Sequence, residues 1–226
     1  ELKKYNYHPF SVEQNMTFKL NKQWLVFDDY LAAMKTKFRV KARKAFMRSK
    51  EIRIEEVTKE NIDSQLPQMT HLYQKVVANA NFNLSHFNLK TFKDLKELLE
   101  DNYIIRSYWL NNKMVGFISG VINQKSLDAH FVGIDYLLNR EHAIYQRMLY
   151  NYIEIGINKK LHTINFGRTA SEIKSSVGAV PEDLTIYLRH KKGITNKFLR
   201  LLLQRIQPST FQQKFPFKTI KINEKL

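Results

Sequence analysis

Hydrophobic positions along the chain switch between two periods, and the switches mark its elements. Residues 1–27 are mixed and aromatic, with Pro9, Trp24 and Phe27, and predict no firm element. Asp28-Asp29 then provides a helix N-cap with acid in the first turn. Tyr30, Leu31, Met34, Phe38, Ala42, Ala45 and Phe46 follow at helical spacing, which predicts one amphipathic helix. Ile52, Ile54 and Val57 predict a short strand. Ile62, Leu66, Met69, Leu72, Tyr73 and Val76 predict a helix over 61–79, with Pro67 requiring a kink or a later start. A loop carrying Phe82, His86 and Phe87 leads to a helix over 91–101. The period then changes to two. Strands are predicted over 103–110, 114–123 and 127–136, joined by the turns Asn111-Asn112-Lys113 and Gln124-Lys125-Ser126, an antiparallel meander. A long helix over 141–159, a strand over 162–166, a short helix stopping at Gly178, a strand through Leu184, Ile186 and Leu188, and a helix over 194–207 complete the pattern. No simple βα repeat gives this order.

Length and composition narrow the class. A chain of 226 residues with 43% hydrophobic content buries a real core. It suits one large domain, or one domain with extensions. No apolar run approaches the roughly 20 residues that span a bilayer. The absence of cysteine excludes disulfides, thiolate metal sites and a cysteine nucleophile, and fits a reducing compartment such as the cytoplasm. The chain opens at Glu1 without an initiator methionine and shows no signal peptide, which suggests an excised fragment. Net charge is +16, from 37 Lys+Arg against 21 Asp+Glu. The densest run is Lys35, Lys37, Arg39, Lys41, Arg43, Lys44, Arg48 and Lys50, on the polar face of the first helix. This face is either a solvated surface or a grip for a polyanion such as tRNA or an anionic membrane.

The chemistry-bearing run is Asn165 to Ala179. A strand ends in a Gly-Arg-Thr turn and a short helix follows, gathering Arg168, Glu172 and Lys174 at the mouth of the sheet. That is where α/β proteins place ligands. Elsewhere the seven His show no metal-ligand spacing, so no metal site is expected. No Ser-nucleophile elbow, Walker loop or dinucleotide glycine pattern is present. Hydrolase, NTPase and dehydrogenase chemistries therefore have no support.

The element order from Ile52 to His190 resembles the GNAT acyl-CoA N-acyltransferase fold, an α/β (α+β) architecture with a mixed, mainly antiparallel sheet flanked by helices. Its sheet splits between the fourth and fifth strands to admit the acyl donor. The local sequences His130-Phe-Val-Gly-Ile-Asp-Tyr, Ile144-Tyr145, Asn165-Phe-Gly-Arg, Glu172-Ile-Lys174 and Gly178-Ala179 resemble the FemAB-like branch of peptidoglycan aminoacyltransferases and their relatives. Fem-type proteins carry two GNAT-like halves, and this chain resembles the second, with a basic helix before it. The resemblance implies three parts: an N-terminal extension with the basic helix over 1–50, a GNAT-like domain over 51–192, and a C-terminal helix and tail over 193–226.

Two departures from ordinary GNAT enzymes bear on the donor. Their pyrophosphate-cradling glycine loop is here Leu138-Asn139-Arg140-Glu141-His142-Ala143-Ile144, without glycine, and Fem-type sequences also lack it. Lys174 stands where many of them place a tyrosine that protonates the leaving thiolate. A lysine there would put a cation near the leaving group or a phosphate.

The resemblance further implies that the fourth-strand backbone at Phe131, Val132 and Gly133 holds the donor carbonyl, with Gly133 either bulging to present its N–H or packing beneath an aromatic ring. Asp135 is a candidate general base or amine ligand; the alternative is a cap for the next helix. Glu172 is the competing carboxylate; the alternative is a salt bridge to Lys174 or Arg168. Arg168 suits a substrate carboxylate or phosphate, or clamps a carboxylate of the protein. Tyr145 lines the acyl pocket or belongs to the core. His130 is expected to be structural. The implied activity is transfer of an acyl or aminoacyl group from acyl-CoA or aminoacyl-tRNA to an amine, conceivably a cell-wall precursor, with donor and acceptor as the partners and no cofactor held. The alternative is a non-catalytic GNAT-fold module that binds tRNA, nucleic acid or anionic surfaces through the basic face.

Overall fold

Residues 1–80, 87–203, 205 and 209–218 are described by a computed structural model of the chain, so Phe82 and His86 lie outside the described residues. Seven strands form one sheet in the order β2-β3-β4-β5-β6-β1-β7. These are β1 (His8–Lys19), β2 (Arg53–Glu56), β3 (Tyr103–Leu110), β4 (Lys113–Asn123), β5 (Ser126–Ile134), β6 (Thr163–Asn165) and β7 (Val180–Leu188). Every pairing is antiparallel except β5 with β6. Strand alternation sends side chains to two cores. Tyr103, Ile105 and Phe117 pack against α3 (Ile62–Ala78) and α4 (Thr91–Leu99). Ile104, Tyr108, Ile118 and Ile164 pack on the other side with α1 (Phe27–Ala33), α2 (Thr36–Arg48) and α6 (Ile144–Asn158). Pro67 sits inside α3 without ending it.

The meander β3-β4-β5 follows the sequence prediction. The N-terminal region does not, because β1 is a full strand between β6 and β7. Residues 8–19 of the expected N-terminal extension are therefore part of the sheet. Phe10, Val12, Met16, Phe18 and Leu20 recur at even spacing, the signal for this strand.

The predicted helix from Tyr30 to Phe46 is broken. It divides into α1 and α2 because Met34 is extended. Its backbone bridges Phe217, and the Lys35 amide donates to the Pro216 carbonyl at 2.7 Å. The C-terminal tail thus docks in the break. Phe217 joins an aromatic cluster with Phe18, Trp24 and Tyr30. Gly178, at φ +109°, ends the short helix α7 (Ser171–Ser176) and lets the tail in; a Cβ there would lie 2.4 Å from the Phe217 ring. A short helix that the pattern did not predict, α5 (Tyr136–His142), precedes α6 and is separated from it at Ala143, which is left-handed at φ 50°. Asp135 caps α5 by accepting from the Leu137 amide at 3.1 Å. The chain closes with α8 (Gly193–Leu203) after β7.

Gly133 is not a bulge. It pairs in register with Phe117, and a Cβ would stand 2.2 Å from the Phe117 ring and 2.8 Å from Leu72 Cβ. The bulge lies earlier, where His130 and Phe131 together oppose Ser119. The Ser119 hydroxyl accepts from the Phe131 amide at 3.0 Å and donates to its carbonyl at 3.3 Å, satisfying groups the ladder has lost.

Gly133→Ala should overpack this contact and cost about 1–3 kcal/mol in urea unfolding. Asp135 is only 2% exposed. Burial would raise its pKa, but the Lys113 hydrogen bond and the charges of Lys75 and Lys113 outweigh this and hold it below the ordinary carboxylate value. Its charge therefore stabilises the fold above about pH 4 and ceases to do so as pH falls through the lowered value. Asp135→Ala should cost about 1–2 kcal/mol at pH 7, and the gap to the wild type should narrow in acid denaturation.

Candidate functional site

The site is organised around the place where β5 and β6 part. Their parallel ladder covers only Ser126–Thr163, Leu127–Ile164 and Asp128–Asn165. On its other edge β6 pairs with β1 along its length, and the chain past it stays with β1: the Phe166 amide donates to the Met16 carbonyl at 2.8 Å, and the Met16 amide to the Gly167 carbonyl at 3.1 Å. β5 runs on to Ile134 beside α6, paired only with β4 among the described strands. The bulge at His130 and Phe131 bends β5 within this unpaired stretch. The expected split is therefore present, and its two sides are Ala129–Gly133 and Phe166.

Lys174 bonds to the chain just past β6, on one side of this split. It lies on α7 and is 4% exposed. Its Nζ donates to the Phe166 carbonyl at 2.6 Å and to the Gly167 carbonyl at 3.3 Å. Among the described residues no carboxylate pairs with it, so Glu172 is not its partner. Burial therefore acts without compensation from a counter-charge and pulls its pKa down to about 8. An ammonium has three N–H donors, and two are used here. A buried lysine titrating this low beside a strand fork has the properties of a functional group.

Arg168 and Glu172 are exposed on the turn and helix just above. They line an open cleft of about 530 Å³ whose other walls include Glu13 of β1, Lys41 of α2, and Phe211 and Lys214 of the tail. Glu172 pairs with Lys214 at 3.1 Å. Lys41 and Lys214 were not singled out by sequence reasoning. Lys41 is one of a run of similar cations, and the tail shows no period that would place it here.

The remaining candidates sit elsewhere. No β5 residue lines the cleft. Phe131 turns its ring toward α3 and α4, stacked on Phe87 at 4.4 Å. Val132 and Tyr145 are half-buried on the α6 side. Burial pushes the Tyr145 hydroxyl well above its ordinary pKa. His130 lies beside Phe131, its Nδ1 3.4 Å from the Tyr103 hydroxyl. Asp135 contacts Lys75, Lys113 and the start of α5, and none of the described hydrogen bonds or ion pairs ties it to Arg168, Glu172 or Lys174. Among the described residues no group of His, Asp and Glu is arranged to hold a metal ion, and no helix is long and apolar enough to cross a membrane.

Comparison with known proteins places this geometry. The sheet and its flanking helices are shared with solved structures of low sequence identity. The chain superposes on FemX with a TM-score of 0.56 at 11% identity, covering 86% of this chain and 65% of that one. It superposes on L-PGS from Bacillus licheniformis with a TM-score of 0.55 at 11% identity, covering 90% and 69%. The chain thus spans about two thirds of each relative's length. No curated protein matches it by sequence. A family model described as FemAB-like, peptidoglycan biosynthesis/recognition, matches residues 2–209. The chain therefore belongs to the FemAB-like family, a family of transferases, as its Asn165–Ala179 run suggested.

Proposed function

We propose that this chain transfers an acyl or aminoacyl group from an ester or thioester donor to an amine, with the reacting carbonyl held between β5 and Phe166. The observation that carries this reading is the buried Lys174 bonded to the Phe166 and Gly167 carbonyls, just past the point where β6 leaves β5. The amine nitrogen attacks the carbonyl carbon, the C–N bond forms, and the C–O or C–S bond of the donor breaks. The free N–H of Lys174 stabilises the departing oxygen or sulfur and gives it a proton, which is replaced by the proton the amine loses through solvent. Lys174 works as the ammonium. Asp135 is assigned to holding α5 and not to proton transfer, because its two lysine contacts keep it ionised and its carboxylate caps the helix. Arg168 and Glu172 line the cleft next to this centre, and the backbone of Phe131, Val132 and Gly133 forms the β5 side of the split; Tyr145 is left to the core on the α6 side.

The segment that cradles pyrophosphate in ordinary GNAT enzymes is here the helix α5, which offers no glycine turn. This favours aminoacyl-tRNA over acyl-CoA as the donor. A cell-wall precursor amine is the acceptor that the family description supports, and the cysteine-free chain suits the cytoplasm. A second reading, a non-catalytic polyanion-binding module, draws on α2. No described carboxylate pairs with Lys35, Lys37, Arg39, Lys41, Arg43, Lys44, Arg48 or Lys50. Binding that collapses between about 50 and 200 mM salt without any transfer would favour the module.

Initial rates with charged tRNA and with acyl-CoA over pH 6–10 test the enzyme. Lys174→Met should lower kcat/KM about 100-fold or more and leave Tm little changed, because removing a poorly compensated buried charge offsets the donor lost to the Phe166 carbonyl. In the wild type the rate should fall as pH rises through about 8, where Lys174 loses its proton. Lys174→Arg keeps the charge and should move this limb out of range. A Lys174→Met enzyme with undiminished kcat would overturn the assignment.

A further inference from the structure

We propose that the cleft above the β6–α7 turn is a phosphate-binding site, in which Lys41, Arg168 and Lys214 hold one dianionic phosphate or diphosphate group of a substrate. It deepens the transferase reading, on which it rests for the identity of the bound molecule as a substrate. The three cations come from three separate elements, the basic helix, the turn after β6 and the C-terminal tail, yet they line a single cleft of about 530 Å³. That volume falls within the roughly 300–1,000 Å³ of small-molecule clefts.

Charge decides the ligand class. Among the described ion pairs, Lys41 and Arg168 have no carboxylate partner, whereas Lys214 is held by Glu172 at 3.1 Å. Two unpaired cations on one cleft match a dianion better than a single carboxylate. Arg168 supplies a planar fork for two phosphate oxygens and Lys41 a point charge. The tail fixes the third cation, since the Lys214 amide donates to the Ser175 hydroxyl at 3.0 Å. When the anion enters, the Lys214 ammonium is in place to be shared between it and Glu172. Glu13, also on the cleft wall, opposes the anion and tunes the affinity downward. Lys41 belongs at once to the cleft and to the basic face of α2, so a polyanion lying along that helix would deliver a phosphate to this site.

Calorimetric titration of the whole chain with inorganic pyrophosphate tests the site. Arg168→Gln and Lys41→Gln, both at exposed positions, should each weaken pyrophosphate about 10-fold and leave circular dichroism unchanged. Glu13→Gln should tighten it several-fold, and acetate should not compete. Titration with adenosine diphosphate and with phosphatidylglycerol vesicles identifies the source of the phosphate as nucleotide or lipid, according to which loses binding in Arg168→Gln. Lys174→Met should bind pyrophosphate like the wild type, so loss of transfer in that variant leaves this site standing, and retained transfer sinks the catalytic reading alone. No pyrophosphate binding, or equal affinity in the wild type, Arg168→Gln and Lys41→Gln, would overturn the phosphate site.

Discussion

The shortness of one central strand governs this molecule. β6 has three residues, pairs with β5 on one edge and β1 on the other, and the chain just beyond it, Phe166 and Gly167, stays with Met16 of β1. Among the described strands, β5 has no partner on that side after Asp128. Unpaired strand edges are usually covered or blunted. Here the edge lies inside the sheet, bent by a bulge and backed by α6. A sheet that opens in its middle is an expensive feature for a fold to keep unless it admits something.

The same region explains why a lysine is tolerated in the interior. The Phe166 and Gly167 carbonyls receive Lys174, and α7 that carries it is short because Gly178 must yield space to Phe217. Phe217 in turn needs the gap between α1 and α2, which exists because Met34 is extended and bridges the tail. The fork, the buried ammonium, the broken helix and the docked tail are thus one connected arrangement. Removing the counter-charge that a buried lysine ordinarily has leaves desolvation to set its pKa.

Much of the scaffold was legible in the sequence because its signals are local. The β3-β4-β5 meander follows from strand-length apolar runs separated by Asn- and Lys-containing turns, and α3 from its six-residue apolar stripe. The misses came from partners distant in sequence. The apolar stripe runs on from Tyr30 to Phe46, and only Pro216 and Phe217, far along the chain, cut it in two. Sequence left Gly133 open between a bulge and packing beneath an aromatic ring; it packs beneath Phe117, and the bulge falls at His130 and Phe131 opposite Ser119. β1 did carry an alternating pattern, obscured by Pro9 and the surrounding aromatics. At the site, Arg168, Glu172 and Lys174 were found as a group, yet sequence cannot show that Lys174 turns inward while the other two face a cleft. Lys41 and Lys214 come together only through the fold.

The most direct measurement is a crystal structure of the chain with a non-reactive donor analogue, an aminoacyl amide of a tRNA 3′ end or a thioether of coenzyme A. The account predicts the carbonyl carbon between Ala129–Gly133 and Phe166, with the leaving atom within hydrogen-bond reach of Lys174 Nζ. An analogue seated on another face, or β5 and β6 found zipped together past Asp128, would contradict it.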